Sequence, residues 1–172
     1  IVKGGPGTGK SVISINALAH LTKDRLNARY VTPNGAPRAV YESKLKNRIA
    51  GDVFRHMFTG SGTFHKMDEN AFDALIVDEA HRLKMKSGMF KNLGENQVKE
   101  IIDTAKTSVF FIDEAQKVTW SDVGEISMIE EQAKLAGASV ERLELTSQFR
   151  CSGSDDYMAW LDETLGVGPG ST

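Results

Sequence analysis

Apolar positions along the chain alternate between two patterns. Short runs rich in apolar residues occur at 1–3 (IVK), 28–32 (ARYVT), 72–77 (FDALIV), 108–112 (SVFFI) and 139–145, and each predicts a strand. Between them, apolar residues recur at helical spacing. Lys10 to Lys23 carries Val12, Ile13, Ile15, Ala17, Leu18 and Leu21, so many that the pattern predicts a helix buried on most sides. Pro37 suits the first turn of a second helix with Val40, Tyr41, Leu45 and Ile49. Val98, Ile101, Ile102 and Ala105 predict a helix over 96–105. Asp122, with Glu125 three residues on, predicts a capped helix that runs through Leu135 and ends at Gly137. Ser154 predicts the cap of a last helix with Tyr157, Met158, Leu161 and Leu165. Residues 51–67 suit either a strand or a helix through Val53, Phe54, Met57 and Phe58, with a turn at Gly60-Ser61-Gly62. Strands that alternate with helices, the central ones continuously apolar, predict an α/β fold of three αβα layers around a mainly parallel sheet. Functional residues then belong at the carboxyl ends of the strands.

Composition narrows the class without naming a chemistry. At 172 residues the chain fits one domain with a real core, expected over 1–165, followed by a linker-like tail over 166–172 (GVGPGST). Its 40% hydrophobic and 26% charged residues are those of a globular protein. A net charge of −2 gives no bulk basic field, which leaves a local basic groove as the route to nucleic acid. The single cysteine, Cys151, excludes an internal disulfide and fits a reducing, cytoplasmic setting. No apolar run reaches the roughly 20 residues of a membrane helix.

The chemistry begins at once. Gly4-Gly5-Pro6-Gly7-Thr8-Gly9-Lys10-Ser11 has the spacing G-x-x-x-x-G-K-[ST] of a phosphate-binding P-loop, or Walker A element. Glycines let successive N–H groups turn inward at phosphate oxygens, and the helix that follows adds its positive end. Gly5, Pro6, Gly7, Thr8, Gly9, Lys10 and Ser11 are therefore the candidate nucleotide cradle. The Lys10 ammonium is expected on the β- and γ-phosphates and the Ser11 hydroxyl on Mg²⁺. The loop follows only three residues, whereas a strand commonly runs about five, so a fragment of a longer protein is expected. Four apolar residues then deliver Asp78-Glu79, as a Walker B element requires: Asp78 for the metal, Glu79 for the attacking water. His81 either couples the nucleotide to neighbouring loops or satisfies a local hydrogen bond.

These residues carry a family resemblance. Asp78-Glu79-Ala80-His81 superficially resembles one group of superfamily 2 helicases, but no Ser-Ala-Thr element follows. Instead Phe110-Phe111-Ile112-Asp113-Glu114-Ala115-Gln116 resembles the superfamily 1 helicase motif of apolar residues, Asp, two residues and Gln. The resemblance implies a RecA-like P-loop NTPase in which Gln116 senses the γ-phosphate. Leu145-Thr146-Ser147-Gln148-Phe149-Arg150 is similar to the element that ends in an aromatic-Arg pair. It implies Phe149 on the nucleotide base and Arg150 on the γ-phosphate, against the plainer alternatives of a core Phe and a surface ion pair. Thr32-Pro33-Asn34 stands where that superfamily contacts single-stranded DNA or RNA, although turn chemistry alone also explains it. The overall spacing, and the run from Leu145 to Leu161 above all, most closely resembles a bacterial P-loop domain of unknown function allied to the helicase-like half of Schlafen proteins.

The resemblance implies an ATP- and Mg²⁺-dependent motor domain of a helicase or translocase. It implies a second RecA-like domain as the partner that completes the site, so the fragment alone is expected to turn over slowly. The alternative is a nucleotide-gated module that switches a partner domain without unwinding. A nucleotide kinase would need an arginine-rich lid, and none is evident. The missing Asn-Lys-x-Asp motif favours ATP over GTP.

Overall fold

In the computed structural model, residues 1–45, 49–88, 90, 92–117, 119, 121–147 and 149 are described. The described elements run β1 (Val2–Gly4), α1 (Lys10–Lys23), β2 (Ala28–Thr32), α2 (Gly35–Leu45), α3 (Gly51–Met57), β3 (Phe58–Gly60), β4 (Phe72–Val77), α4 (Gln97–Thr104), β5 (Ala105–Ile112), α5 (Ile126–Leu135) and β6 (Leu143–Leu145). The six strands form one sheet in the order β3-β2-β4-β5-β1-β6. Every pairing is parallel, with Val31 opposite Val77, Val77 opposite Phe110 and Val2 opposite Phe111. A parallel sheet needs crossovers on its faces, and those crossovers bury both sides.

The pleat sorts β4 into two cores. Ala74 and Ile76 join Val2, Leu18, Tyr30, Phe54, Phe58 and Phe111 beneath α1, α2 and α3. Leu75 and Val77 join Val98, Ile101, Phe110, Ile112 and Ile129 beneath α4 and α5. This is the expected three-layer αβα, RecA-like architecture. The continuous run in β4 is apolar because neither face meets water. Among the described residues no helix is long and apolar enough to cross a membrane.

Four local expectations need correction. Helix α1 has the predicted bounds but is not buried on most sides: Lys10, Ser14 and Leu18 are its buried residues, and Val12 is 65% exposed. One sheet face can cover only one stripe of a helix, whatever the other stripes contain. Asp122 does not cap α5. Its carboxylate accepts from the Thr119 N–H at 3.2 Å, and Glu125 holds the cap position without a side-chain bond. Strand β5 begins at Ala105, in register with Phe72, so pairing extends it through polar Lys106 and Thr107, while the last strand shortens to three residues. Residues 51–67 hold both alternatives in succession, helix α3 then strand β3, and a short 3₁₀ helix, Ser61–Lys66, takes the place of the turn. The helix expected after Ser154 and the tail 166–172 lie outside the described residues.

Candidate nucleotide site

The carboxyl ends of β1, β5 and β4 lie side by side, because β5 sits between the other two. That order puts the glycine-rich loop after β1 beside Asp113, and Asp78-Glu79 one strand further on. The loop turns through Gly7 at φ 80° and Gly9 at φ 84°, left-handed conformations that favour glycine. Gly9 is the N-cap of α1 and offers no side-chain cap, and the first turn of α1 carries no acidic residue. The positive end of the helix is therefore left for an anion.

Lys10 is the centre of the arrangement. Its ammonium is buried and donates to the carbonyls of Gly4 and Gly5, each at 2.7 Å. It also lies 3.4 Å from Asp113 Oδ2. The same Asp113 oxygen accepts from Gln116 Nε2 at 2.8 Å. Thr8 closes the loop on itself through a 2.9 Å bond from its hydroxyl to the Gly5 carbonyl. The Ser11 side chain is exposed at the start of α1. Pro6, Gly7 and Gly9 are half-buried along the loop.

Asp78 is buried, and both its oxygens accept. The Tyr30 hydroxyl donates to Oδ2 at 2.7 Å, and the Glu79 N–H donates to Oδ1 at 3.1 Å. Burial, with the negative charge of Asp78 second, pushes the Tyr30 phenol far above its ordinary range, so it stays a donor. Tyr30→Phe should remove this bond while the ring keeps its packing against Tyr41 and Phe58. A loss of about 1.5–3 kcal/mol is expected in denaturant unfolding.

Glu79 adopts a left-handed backbone, φ 57° and ψ 40°, unusual for a residue with a side chain. Its carboxylate lies 3.3 Å from His81 Nε2 and 3.6 Å from Arg82 Nε. The His81 imidazole holds the Glu79 carboxyl below its ordinary range; burial opposes this, and the charges of Arg82 and Lys10 add to it. Glu79 is thus kept ionised. The His81 ring is fully buried; its Nε2 faces this carboxylate, and neither ring nitrogen has a hydrogen-bond partner among the described residues.

Phe149 follows β6 and returns to the loop. Its N–H donates to the Gly7 carbonyl at 3.0 Å, and a Cβ at Gly9 would meet its ring at 3.7 Å. The ring is 72% exposed, so it is not a core residue. Arg150 lies outside the described residues. Thr32, Pro33 and Asn34 sit at the end of β2, with β4 and β5 between them and the loop after β1. Thr32 is buried and its hydroxyl accepts from the Asn34 N–H at 3.3 Å, while Asn34 Oδ1 accepts from the Ala36 N–H at 3.3 Å at the start of α2.

The structure therefore gathers Lys10, Asp113 and Gln116 in one bonded cluster, with Phe149 over the loop and Thr32, Pro33 and Asn34 apart. Asp113 and Tyr30 were missed as site residues. Asp113 could have been found, because it stands at the end of a buried strand just as Asp78 does. For Tyr30 only strand parity pointed the right way.

Set beside known proteins, the chain matches the model of the Schlafen group 3 DNA/RNA helicase domain over residues 1–171. The chain belongs to that family. No curated protein matches it. A Schlafen helicase-like domain with this sheet order is a nucleotide-binding type of domain, and the carboxyl edge of its sheet carries the clustered charged groups.

Proposed function

We propose that this Schlafen helicase-like domain is the ATP-binding and ATP-hydrolysing half of a superfamily 1-type DNA or RNA helicase or translocase. One observation carries the reading: Lys10, Asp113 and Gln116 meet at the ends of adjacent strands, beside a loop whose left-handed glycines open a helix N-terminus. The donor set fits Mg-ATP. A cationic ammonium and an uncapped helix end suit phosphate, and Asp78 with Ser11 supplies the oxygens a hard cation takes.

When bound, Mg-ATP supplies the phosphoanhydride to be cleaved. The chain's own groups bind, orient and move a proton. Gly5, Pro6, Gly7, Thr8 and Gly9 wrap the phosphates, and Lys10 neutralises them. Ser11 and Asp78 hold the metal. Glu79, ionised and held by His81, takes the proton from water. Gln116 reports the γ-phosphate to the loop that follows it, and Phe149 packs on the base. Arg150, together with a second RecA-like domain, supplies positive charge to the transferred group. Single-stranded DNA or RNA is the proposed track, entering past Thr32, Pro33 and Asn34.

Glu79→Gln tests the chemistry. Binding of a fluorescent ATP analogue should stay unchanged, while phosphate release falls by about 10²–10⁴. Retained hydrolysis would remove Glu79 from the mechanism. Single-stranded DNA or RNA should raise the ATPase rate of the protein that carries this domain; no response to either sugar would favour the nucleotide-gated module instead.

A further inference from the structure

The part of the β4–α4 connection beyond Leu83 is not used by the nucleotide site, yet its root is firmly built. Gln97, buried, pins it from several sides. Its N–H donates to the Lys84 carbonyl at 3.1 Å, and its Oε1 accepts from the Lys84 N–H at 3.0 Å and the Ser61 hydroxyl at 2.9 Å. Its Nε2 donates to the Ser87 hydroxyl at 2.9 Å. Ser87 and Leu93 exchange two backbone bonds, of 2.8 and 3.1 Å, which close a small antiparallel hairpin over a left-handed Gly88. Beyond that closure Phe90 is 81% exposed, and Met85 is 47% exposed on the incoming arm. Lys84 and Lys86 flank Met85, both exposed and neither in an ion pair among the described residues. The nearby Glu95 is already engaged by Lys99 at 2.8 Å.

The hairpin also has a place along the sheet edge. Its Ser87 packs against Gly62, where an added Cβ would meet the Ser87 hydroxyl at 3.2 Å. Gly62 follows β3, and β3 ends at Gly60 in register with Thr32. The Arg38 guanidinium lies over Gly60, and its Nε is buried with no hydrogen-bond partner among the described residues. The end of β3 thus links the two regions, with Arg38 against Gly60 on one side and the root of the hairpin, Ser87, against Gly62 on the other.

We infer that the hairpin closed by Ser87 and Leu93 is a grip for single-stranded nucleic acid, with Phe90 as the stacking platform and Lys84 and Lys86 as phosphate contacts. This rests on the nucleic-acid motor reading above. The charge of the arm selects a polyanion. An exposed Phe with no hydrogen-bonding group selects an unstacked base rather than a paired one, and tolerates any sequence. A duplex offers that ring no open face.

The test uses the protein that carries this domain and fluorescein-labelled oligothymidylate and oligouridylate, read by anisotropy. Phe90→Ala should weaken binding about five- to 150-fold, and Phe90→Trp should restore it. Lys84→Gln with Lys86→Gln should lower the slope of log affinity against log salt by about 1.4. Binding of a fluorescent ATP analogue should be unaffected in all three. If wild type binds neither strand, the nucleic-acid reading fails and the hairpin assignment with it. If wild type binds and Phe90→Ala binds equally well, the assignment alone is overturned and the hairpin faces a protein partner.

Discussion

Gly124→Ala is expected to cripple the domain although residue 124 touches no proposed ligand. A Cβ there would lie 1.7 Å from the Ala80 carbonyl oxygen and 3.0 Å from His81 Cα. Both obstacles are backbone, so neither can rotate away. The loop that holds Gly124 begins just past Gln116 and is seated on the segment just past Glu79. The Val123 N–H donates to the Leu83 carbonyl at 2.7 Å, and Lys84 and Asp122 form an antiparallel bridge. An added methyl must part these two loops. Overpacking of this kind costs about 3 kcal/mol or more, roughly a 6–12 °C fall in thermal midpoint for a domain of this size. Gly137→Ala is the control. Unlike Gly124 it has a positive φ, 70°, but its Cβ would meet nothing within 4 Å. It should cost only the roughly 1–2 kcal/mol of left-handed strain. Equal midpoints for the two variants would show that the loops part freely.

The contact has a functional side. Glu79 precedes the point of close approach and Gln116 precedes the loop that makes it. The two proposed catalytic groups are therefore joined through backbone packing as well as through the charge of Lys10 and its contact with Asp113. In the proposed mechanism this is the route by which γ-phosphate sensing reaches the residue that acts on water. Gly124→Ala should then lower phosphate release more than nucleotide affinity.

The legible parts of the molecule share a cause. Strands β2 and β4 and helix α1 match their expected bounds because local pattern and tertiary demand agree there. A strand covered on both faces has to be apolar throughout, and the glycine-rich loop leaves the start of α1 little choice. The edge that carries the candidate site was legible for the same reason, since parallel strands all end on it. What was not legible depends on partners distant in sequence. Val12 and Ile13 look like core residues until the sheet covers only the Leu18 side of α1. Asp122 has the spacing of a cap, yet a backbone bridge to Lys84 draws it into a different turn. Lys106 and Thr107 enter β5 only because β4 lies alongside. Tyr30 becomes a partner of Asp78 only across two strands, and Gly124 is an ordinary loop glycine until Ala80 is placed against it.

Lys10→Met should separate the structural and functional roles of the ammonium. Three oxygens share it: the Gly4 and Gly5 carbonyls at 2.7 Å and Asp113 Oδ2 at 3.4 Å. Its removal leaves the buried Asp113 carboxylate with Gln116 as its recorded side-chain partner. Breaking one side of a buried pair costs about 3 kcal/mol, so the variant should unfold more readily and lose nucleotide affinity together. Those losses have different origins and can be parted. Lys10→Met combined with Asp113→Asn removes the charge imbalance, and Asn still accepts from Gln116. Replacing both partners is often near neutral, so the midpoint should return to within about 1 kcal/mol of wild type. Nucleotide affinity should not return. Charge-assisted bonds from an ammonium to phosphate are worth about 1.5–3 kcal/mol each, and losing two means roughly a 100-fold weaker complex or worse. A doubly substituted protein that is stable and still binds ATP like wild type would take Lys10 out of the phosphate site and leave it as the tie that closes the loop onto β5.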